Sequence, residues 1–232
     1  MGKVRAVNQD AVFISNEKIG VLDNLFIVAD GMGGHKAGEV AAAASIEAFL
    51  GYVKAADSLG EQPHEFLKNG VQRANAGVYE MQQANKAWRG MGTTFSVCAV
   101  AGGRLHFAHV GDSRIYIIIN DTITQISNDH SLVAEMLRMG RITPEEADLH
   151  PKNILTRALG TETSLEVDSG SAELPEGAAV LICSDGLNNM VTDADILRIM
   201  GGDSGAEDKA AALIEAALES GGTDNISLII IY

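Results

Sequence analysis

Apolar positions along the chain follow two periods. Residues 25–29 (Leu-Phe-Ile-Val-Ala) and 178–183 are continuous apolar runs of strand length, read as buried strands. Residues 93–101 and 104–110 are strand-like runs on either side of Gly102-Gly103, a hairpin signal. Residues 114–119 form a third strand, which Asn120-Asp121 turns into residues 122–126. Successive strands with tight turns predict an antiparallel meander, not a doubly wound parallel sheet. Residues 11–15, 19–23, 164–172 and 226–232 complete the strand set. Residues 39–57 and 63–88 carry the helical period. In the second of these, Leu67, Val71, Ala74, Val78 and Met81 recur at steps of four and three, with Gln, Lys, Arg and Glu opposite. Helices with one apolar stripe pack on a sheet. Thr192 and Ser204 predict the N-caps of two more helices, the second Ala-rich and closed by Gly221-Gly222.

Residues 127–165 break the pattern. A short helix is expected over 131–139, ending at Gly140. Thr143-Pro144-Glu145-Glu146 starts another, with a capping box and Pro at its first position. Residues 153–159 form a further short segment. An irregular helical insertion between strands is the kind that makes a lid.

At 232 residues, with neither linker nor repeat, the chain is read as one domain, able to bury roughly 70% of its unfolded surface. Hydrophobic residues at 46% and charged residues at 21% describe a globular chain. No run approaches the ~20 apolar residues of a membrane span. Nothing at the N-terminus suggests export, and Ala6 stands where a myristoylation signal wants Ser or Thr. The net charge of -14 argues against nucleic acid or an anionic membrane as partner. It also asks what neutralises so many acidic groups, and bound divalent cations would. Cys98 and Cys183 each lie in an apolar run and are expected as buried free thiols, which suits a reducing cytoplasm. No Cys/His spacing points to zinc.

Four aspartates share one context. Asp30 ends the apolar run at 25–29 and is followed by Gly31, Gly33, Gly34 and Gly38 and an alanine-rich stretch. Glycines there let the backbone turn and approach something closely. A carboxylate beside a bare backbone carbonyl suits a hard-oxygen metal site. For this stretch alone, a capping aspartate in an ordinary strand-turn-helix stays open. Asp185 follows Val-Leu-Ile-Cys-Ser, Asp112 follows His109-Val110-Gly111, and Asp224 stands just before the last apolar run. Asp is disfavoured beside a buried strand unless paired or metal-bound. Clustered carboxylates raise one another's pKa, and divalent cations remove that conflict. All-oxygen ligands select Mg²⁺ or Mn²⁺ over zinc or copper. Asp112, at a strand end, is expected to be accessible. Arg5 and Asp10, taken alone, read as a surface pair.

Six motifs stand in order. They are Arg5-x-x-Asn8-Gln9-Asp10, Asp30-Gly31-Met32-Gly33-Gly34-His35, Met91-Gly92-Thr93-Thr94, His109-Val110-Gly111-Asp112-Ser113-Arg114, Cys183-Ser184-Asp185-Gly186-Leu187 and Gly222-Thr223-Asp224-Asn225. With them, and over nearly its whole length, the chain resembles the bacterial PPM/PP2C-type metal-dependent protein serine/threonine phosphatases. The resemblance implies an α+β fold: a four-layer α-β-β-α sandwich of two antiparallel sheets flanked by helices, with a small flap at residues 128–160. It implies that Asp30, Asp185 and Asp224 bind one metal ion. Asp30 and the Gly31 carbonyl would bind a second, with Asp10 holding its waters, and Asp112 and Asp185 a weaker third. Arg5 is similar to the family's phosphate-binding arginine. The implied reaction is hydrolysis of phosphoserine and phosphothreonine in proteins by a water bridging two Mn²⁺ or Mg²⁺ ions ~3.5–4 Å apart. Arg5 would orient the phosphate by paired hydrogen bonds. The implied partners are phosphoproteins and a cognate Ser/Thr kinase, and the implied state is a cytoplasmic monomer.

The chain also departs from the family pattern. Gln9 stands where many members have Glu. Met32 stands where eukaryotic members have the His proposed as general acid, which leaves His35, on the glycine turn, to aid leaving-group protonation or merely to pack. Asn188-Asn189 replaces a more usual polar-acidic pair. Members of the family usually have a first strand before the position of Arg5, so a truncated start or a missing edge strand is the expectation here.

Competing chemistry is weaker. Cys98-x5-Arg104 matches the bare cysteine-phosphatase spacing, but that chemistry needs a phosphate-cradling loop at a helix N-terminus, and this segment reads strand, Gly-Gly turn, strand. His106 and His109 fall on opposite faces of a strand and read as core or supporting groups. His64, His130 and His150 read as loop and flap residues. A non-catalytic phosphoprotein-binding regulator on the same fold would be expected to lose metal carboxylates, yet Asp10, Asp30, Asp112, Asp185 and Asp224 are all present.

Overall fold

A computed structural model describes residues 1–33, 37–60, 62–147 and 149–232. The first sheet runs in the order β1 (Asp10–Ser15), β2 (Leu25–Met32), β4 (Phe95–Ala101), β5 (Arg104–Val110) and β8 (Asp168–Glu173), and the two-residue β3 (Gly92–Thr93) also pairs with β2. The second sheet runs β10 (Leu228–Ile231), β9 (Ala179–Cys183), β6 (Arg114–Ile119) and β7 (Thr122–Gln125). Every pairing is antiparallel.

The continuous apolar runs are explained by burial on both faces. Along β2, Leu25, Ile27 and Ala29 join the core under α1 (Ala37–Ala55) and α2 (Pro63–Ala84), while Phe26 and Val28 join the core between the sheets. Along β9, Val180 and Ile182 enter that central core, and Ala179, Leu181 and Cys183 pack toward α6 (Asp193–Met200) and α7 (Ala206–Glu219). The result is the expected four-layer sandwich. Leu67, Val71, Ala74 and Val78 are buried along α2, as its period predicts. Both cysteines are buried free thiols.

Several local expectations need correction. The strands from β4 to β7 are not one meander: β4–β5 lie in the first sheet and β6–β7 in the second. The chain changes sheets at Gly111, whose φ of 109° is open chiefly to glycine and whose missing side chain leaves room for Thr94. Residues 19–23 make only an isolated bridge, Ile19 to Leu22, around Gly20 at φ 56°. The eighth strand starts at Asp168, later than expected. Gly205, not Ser204, is the N-cap of α7, so no side-chain oxygen caps that helix. Thr192 does cap α6, accepting from the Asp195 N–H.

The insertion contains α3 (Leu132–Arg138) and α4 (Pro144–Ala147). The capping box is realised in both directions: Thr143 N–H donates to Glu146 Oε2 at 2.9 Å, and Glu146 N–H to Thr143 Oγ1 at 3.3 Å. Its return segment pairs with the start of the insertion through a bridge from Leu155 to Ser131, and with the body through one from Leu159 to Thr93. No described helix is long and apolar enough to cross a membrane.

Candidate active site

The two sheets bring their aspartates to one end of the sandwich. Asp10 opens β1 and stands in direct register with Asp30 on β2. Asp30 is fixed through its backbone: its N–H donates to Thr94 Oγ1 at 2.9 Å, and its carbonyl accepts from Thr94 N at 2.8 Å and Thr93 Oγ1 at 2.9 Å. Gly31 follows where β2 meets the start of α1; a Cβ there would lie 2.1 Å from the Gly38 carbonyl oxygen, so only glycine permits the approach. Asp185 begins the short α5 (Asp185–Asn188) at the end of β9. A Cβ on Gly186 would meet the Asn225 carbonyl oxygen at 1.9 Å, which packs this turn directly against the Asp224-Asn225 loop. Asn225 ties in the N-terminal segment, accepting from Gln9 N at 2.9 Å and donating to Val7 O at 3.1 Å.

Arg5 pairs with Asp224, at 2.7 Å, and not with Asp10. Ser184 Oγ donates to Asp10 Oδ2 at 2.8 Å, and Asn189 Nδ2 to Asp185 Oδ2 at 3.1 Å. The Asn189 that departs from the family pattern therefore holds a site carboxylate. Arg5, Asp30, Gly31, Asp112, Asp185 and Asp224 all line one cavity of about 200 Å³. Asn153 and Leu155 of the flap close it on one side, and neither carried a chemical signal in the sequence. Asp112 is buried, 9% exposed, contrary to the expectation of an accessible carboxylate. It sits in the crossover between the sheets, under the flap, and not at a free strand end. His35 lies outside the described residues.

Electrostatics make this cluster unstable as bare carboxylates. Burial, then the charges of Asp10 and Asp185, push Asp30 well above the usual carboxylate range. Burial and Asp185 lift Asp112 to about 7; burial and Asp224 lift Asp185 to about 6. Burial raises Asp10 too, against the Ser184 hydrogen bond. Asp10 Oδ1 and Asp185 Oδ1 are buried with no hydrogen-bond partner. Unsatisfied buried carboxylate oxygens cost free energy unless something cationic takes them up. An all-oxygen, mutually repelling set of this kind fits a hard divalent cation. Among the described residues, no three acidic, imidazole or thiol side chains already converge at direct-ligand spacing. Waters complete the shell of hard cations that take few protein ligands.

The other candidates do not form a site. Cys98 is on β4 and Arg104 opens β5, and burial pushes the Cys98 thiol up, so it is no thiolate nucleophile. His106 hydrogen-bonds Ser171 at 2.7 Å. His64 is on α2 and not in a loop, whereas His130 lies in the loop before α3, as expected, but is fully buried there.

The family model described as protein phosphatase 2C matches residues 3–213. Protein phosphatase PhpP of Streptococcus pneumoniae is 36% identical over 233 residues, covering 100% of this chain and 94% of that protein. The chain belongs to the protein phosphatase 2C family. Among solved structures, the Streptococcus agalactiae serine/threonine phosphatase superposes with a TM-score of 0.91 at 37% identity, over 100% of this chain and 95% of that one. The catalytic domain of the phosphatase PstP, in complex with two manganese ions, superposes with a TM-score of 0.85 at 35% identity, over 99% of this chain and 93% of that one. As a protein phosphatase 2C, this chain is a protein serine/threonine phosphatase of a metal-dependent family. The reading as a non-catalytic binding module is not favoured.

Proposed function

We propose that this protein removes phosphate from phosphoserine and phosphothreonine in proteins, as one catalytic domain with residues 128–160 as its flap. The observation that carries the reading is the buried carboxylate cluster, with Asp10 Oδ1 and Asp185 Oδ1 unpartnered, and the cavity that Asp30, Asp112, Asp185 and Asp224 line together with the exposed Arg5. Asp30, Asp185 and Asp224 would hold one ion, Asp30 with the Gly31 carbonyl the second, its waters held by Asp10, and Asp112 with Asp185 a weaker third; Mn²⁺ and Mg²⁺ both suit these oxygens. When bound, such ions neutralise the carboxylates and supply Lewis-acid chemistry for attack of water at phosphorus.

The chain's own residues do the rest. Arg5 is 53% exposed on its side chain and engages Asp224 through one nitrogen, which leaves donors for the equatorial oxygens of a phosphate. Asp10, fixed on one oxygen by Ser184, keeps its other oxygen for an ordered water. Asn189 sets the orientation of Asp185. His35 is our candidate for protonating the leaving serine or threonine oxygen. The substrates are phosphorylated proteins; a cognate kinase, a monomeric state and a cytoplasmic location are the settings we propose. The test is phosphate release from phosphoserine and phosphothreonine peptides in Mn²⁺. Turnover of both is expected, and release from neither would overturn the reading.

A further inference from the structure

Two buried imidazoles, His109 and His130, have no part in the chemistry above. Both grip the same residue, Gly111, which immediately precedes Asp112. His109 Nε2 lies 3.0 Å from the Gly111 carbonyl oxygen and 3.1 Å from that of Asn128. Both partners are acceptors, so Nε2 carries the proton and Nδ1, 2.8 Å from Ser96 Oγ, accepts. His130 works from the other side. Its Nδ1 accepts from Gly111 N–H at 3.1 Å, and its own backbone N–H donates to the Gly111 carbonyl at 2.7 Å. With Nδ1 an acceptor, the proton of the neutral ring is on Nε2, which faces Asp168 Oδ2 at 3.3 Å. Burial holds both rings below the usual histidine range, so neither is charged at neutral pH.

The grip continues outward. Asp168 is held by Arg157 at 3.1 Å and by Asn128 at 3.2 Å. The His130 carbonyl accepts from Thr156 N at 2.9 Å, on the return segment of the flap. Gly111 needs such support: it is where the chain changes sheets, and its φ of 109° is held by nothing regular. A backbone shift there would move the Asp112 carboxylate relative to Asp185.

We propose that His130 is a positioning residue: by accepting the Gly111 N–H, and with its ring oriented by Asp168, it fixes Asp112 for ion binding and ties that placement to the base of the flap. The inference rests on the metal-dependent phosphatase reading and adds a residue to it. Partners that orient a ligand commonly matter about tenfold or more in metal affinity or activity.

The test compares His130→Asn, His130→Leu and Asp168→Ala with the unaltered chain. Asn keeps an acceptor near the position of Nδ1 but loses volume; Leu keeps volume but loses the acceptor. Three readouts are taken: amide hydrogen exchange at Gly111 without added metal, Mn²⁺ binding by calorimetry, and kcat on a phosphothreonine peptide. The expected order is unaltered, then Asn, then Leu, with Leu down about tenfold in the weakest Mn²⁺ binding step and in kcat, and with Gly111 exchange fastest in Leu. Asp168→Ala, at a part-exposed position, should shift the same readouts in the same direction, and it decides the matter if the Leu variant does not fold. Equal or better performance of Leu than Asn, or an Asp168→Ala variant like the unaltered chain, would overturn the positioning role in favour of packing. An unaltered chain that neither binds Mn²⁺ nor releases phosphate would instead overturn the phosphatase reading itself.

Discussion

Asp10 and Asp30 face one another across β1 and β2 in a single register pair, two carboxylates where a sheet would ordinarily place neutral or opposite charges. Asp30 has three further aspartates acting on it, Asp185, Asp112 and Asp224. The arrangement costs the bare fold free energy and gives it a place for cations.

Asp30→Asn should therefore act in opposite directions on stability and function. Removing the buried charge relieves repulsion, so the thermal midpoint without metal should rise. The increase that Mn²⁺ gives the unaltered chain should vanish, because ligand binding to the folded state is what supplies it. Thermal unfolding with and without Mn²⁺ checks both, and an undiminished Mn²⁺ effect would remove Asp30 from the site.

Arg5→Ala should raise KM for a phosphothreonine peptide more than it lowers kcat. A charge-assisted hydrogen bond worth ~1.5 kcal/mol or more corresponds to about tenfold in binding. Steady-state kinetics with an unchanged KM would leave Arg5 as the partner of Asp224 alone.

Asp112→Ala should leave the tighter ions bound and remove the weakest binding step, while slowing phosphopeptide hydrolysis. An ion held by fewer protein oxygens and more water binds more weakly. Calorimetric stoichiometry and kcat decide it; if both are unchanged, Asp112 serves only the crossover between sheets.

Gly186→Ala should destabilise the fold by about 1–3 kcal/mol or more, since the added carbon meets a backbone oxygen that cannot rotate away. Denaturant unfolding measures this. A neutral effect would mean that the contact between the Asp185 turn and Asn225 relaxes easily.

Much of this was legible in the chain because burial on both faces writes itself as unbroken apolar runs, as at β2 and β9. Asp30, Asp112, Asp185 and Asp224 stood out because carboxylates are costly beside such runs. Other features were hidden for physical reasons. The crossover at Gly111 looks in sequence like any tight turn, because pairing partners such as β9 lie far along the chain. Burial of Asp112 and His130 depends on the flap folding back over them, which no local pattern encodes. Ser204 looked like a cap because Ser, Gly and Asp are adjacent there, and a one-residue shift gave the position to Gly205. Asn153 and Leu155 reach the cavity only through the path of the flap's return segment.

The central claim is that hydrolysis depends on cations held by this carboxylate cluster. The most direct measurement is phosphate release from a phosphothreonine peptide by chain dialysed against EDTA, then titrated with Mn²⁺. Turnover should be lost in EDTA and return with added Mn²⁺ or Mg²⁺. Full turnover in EDTA would contradict it.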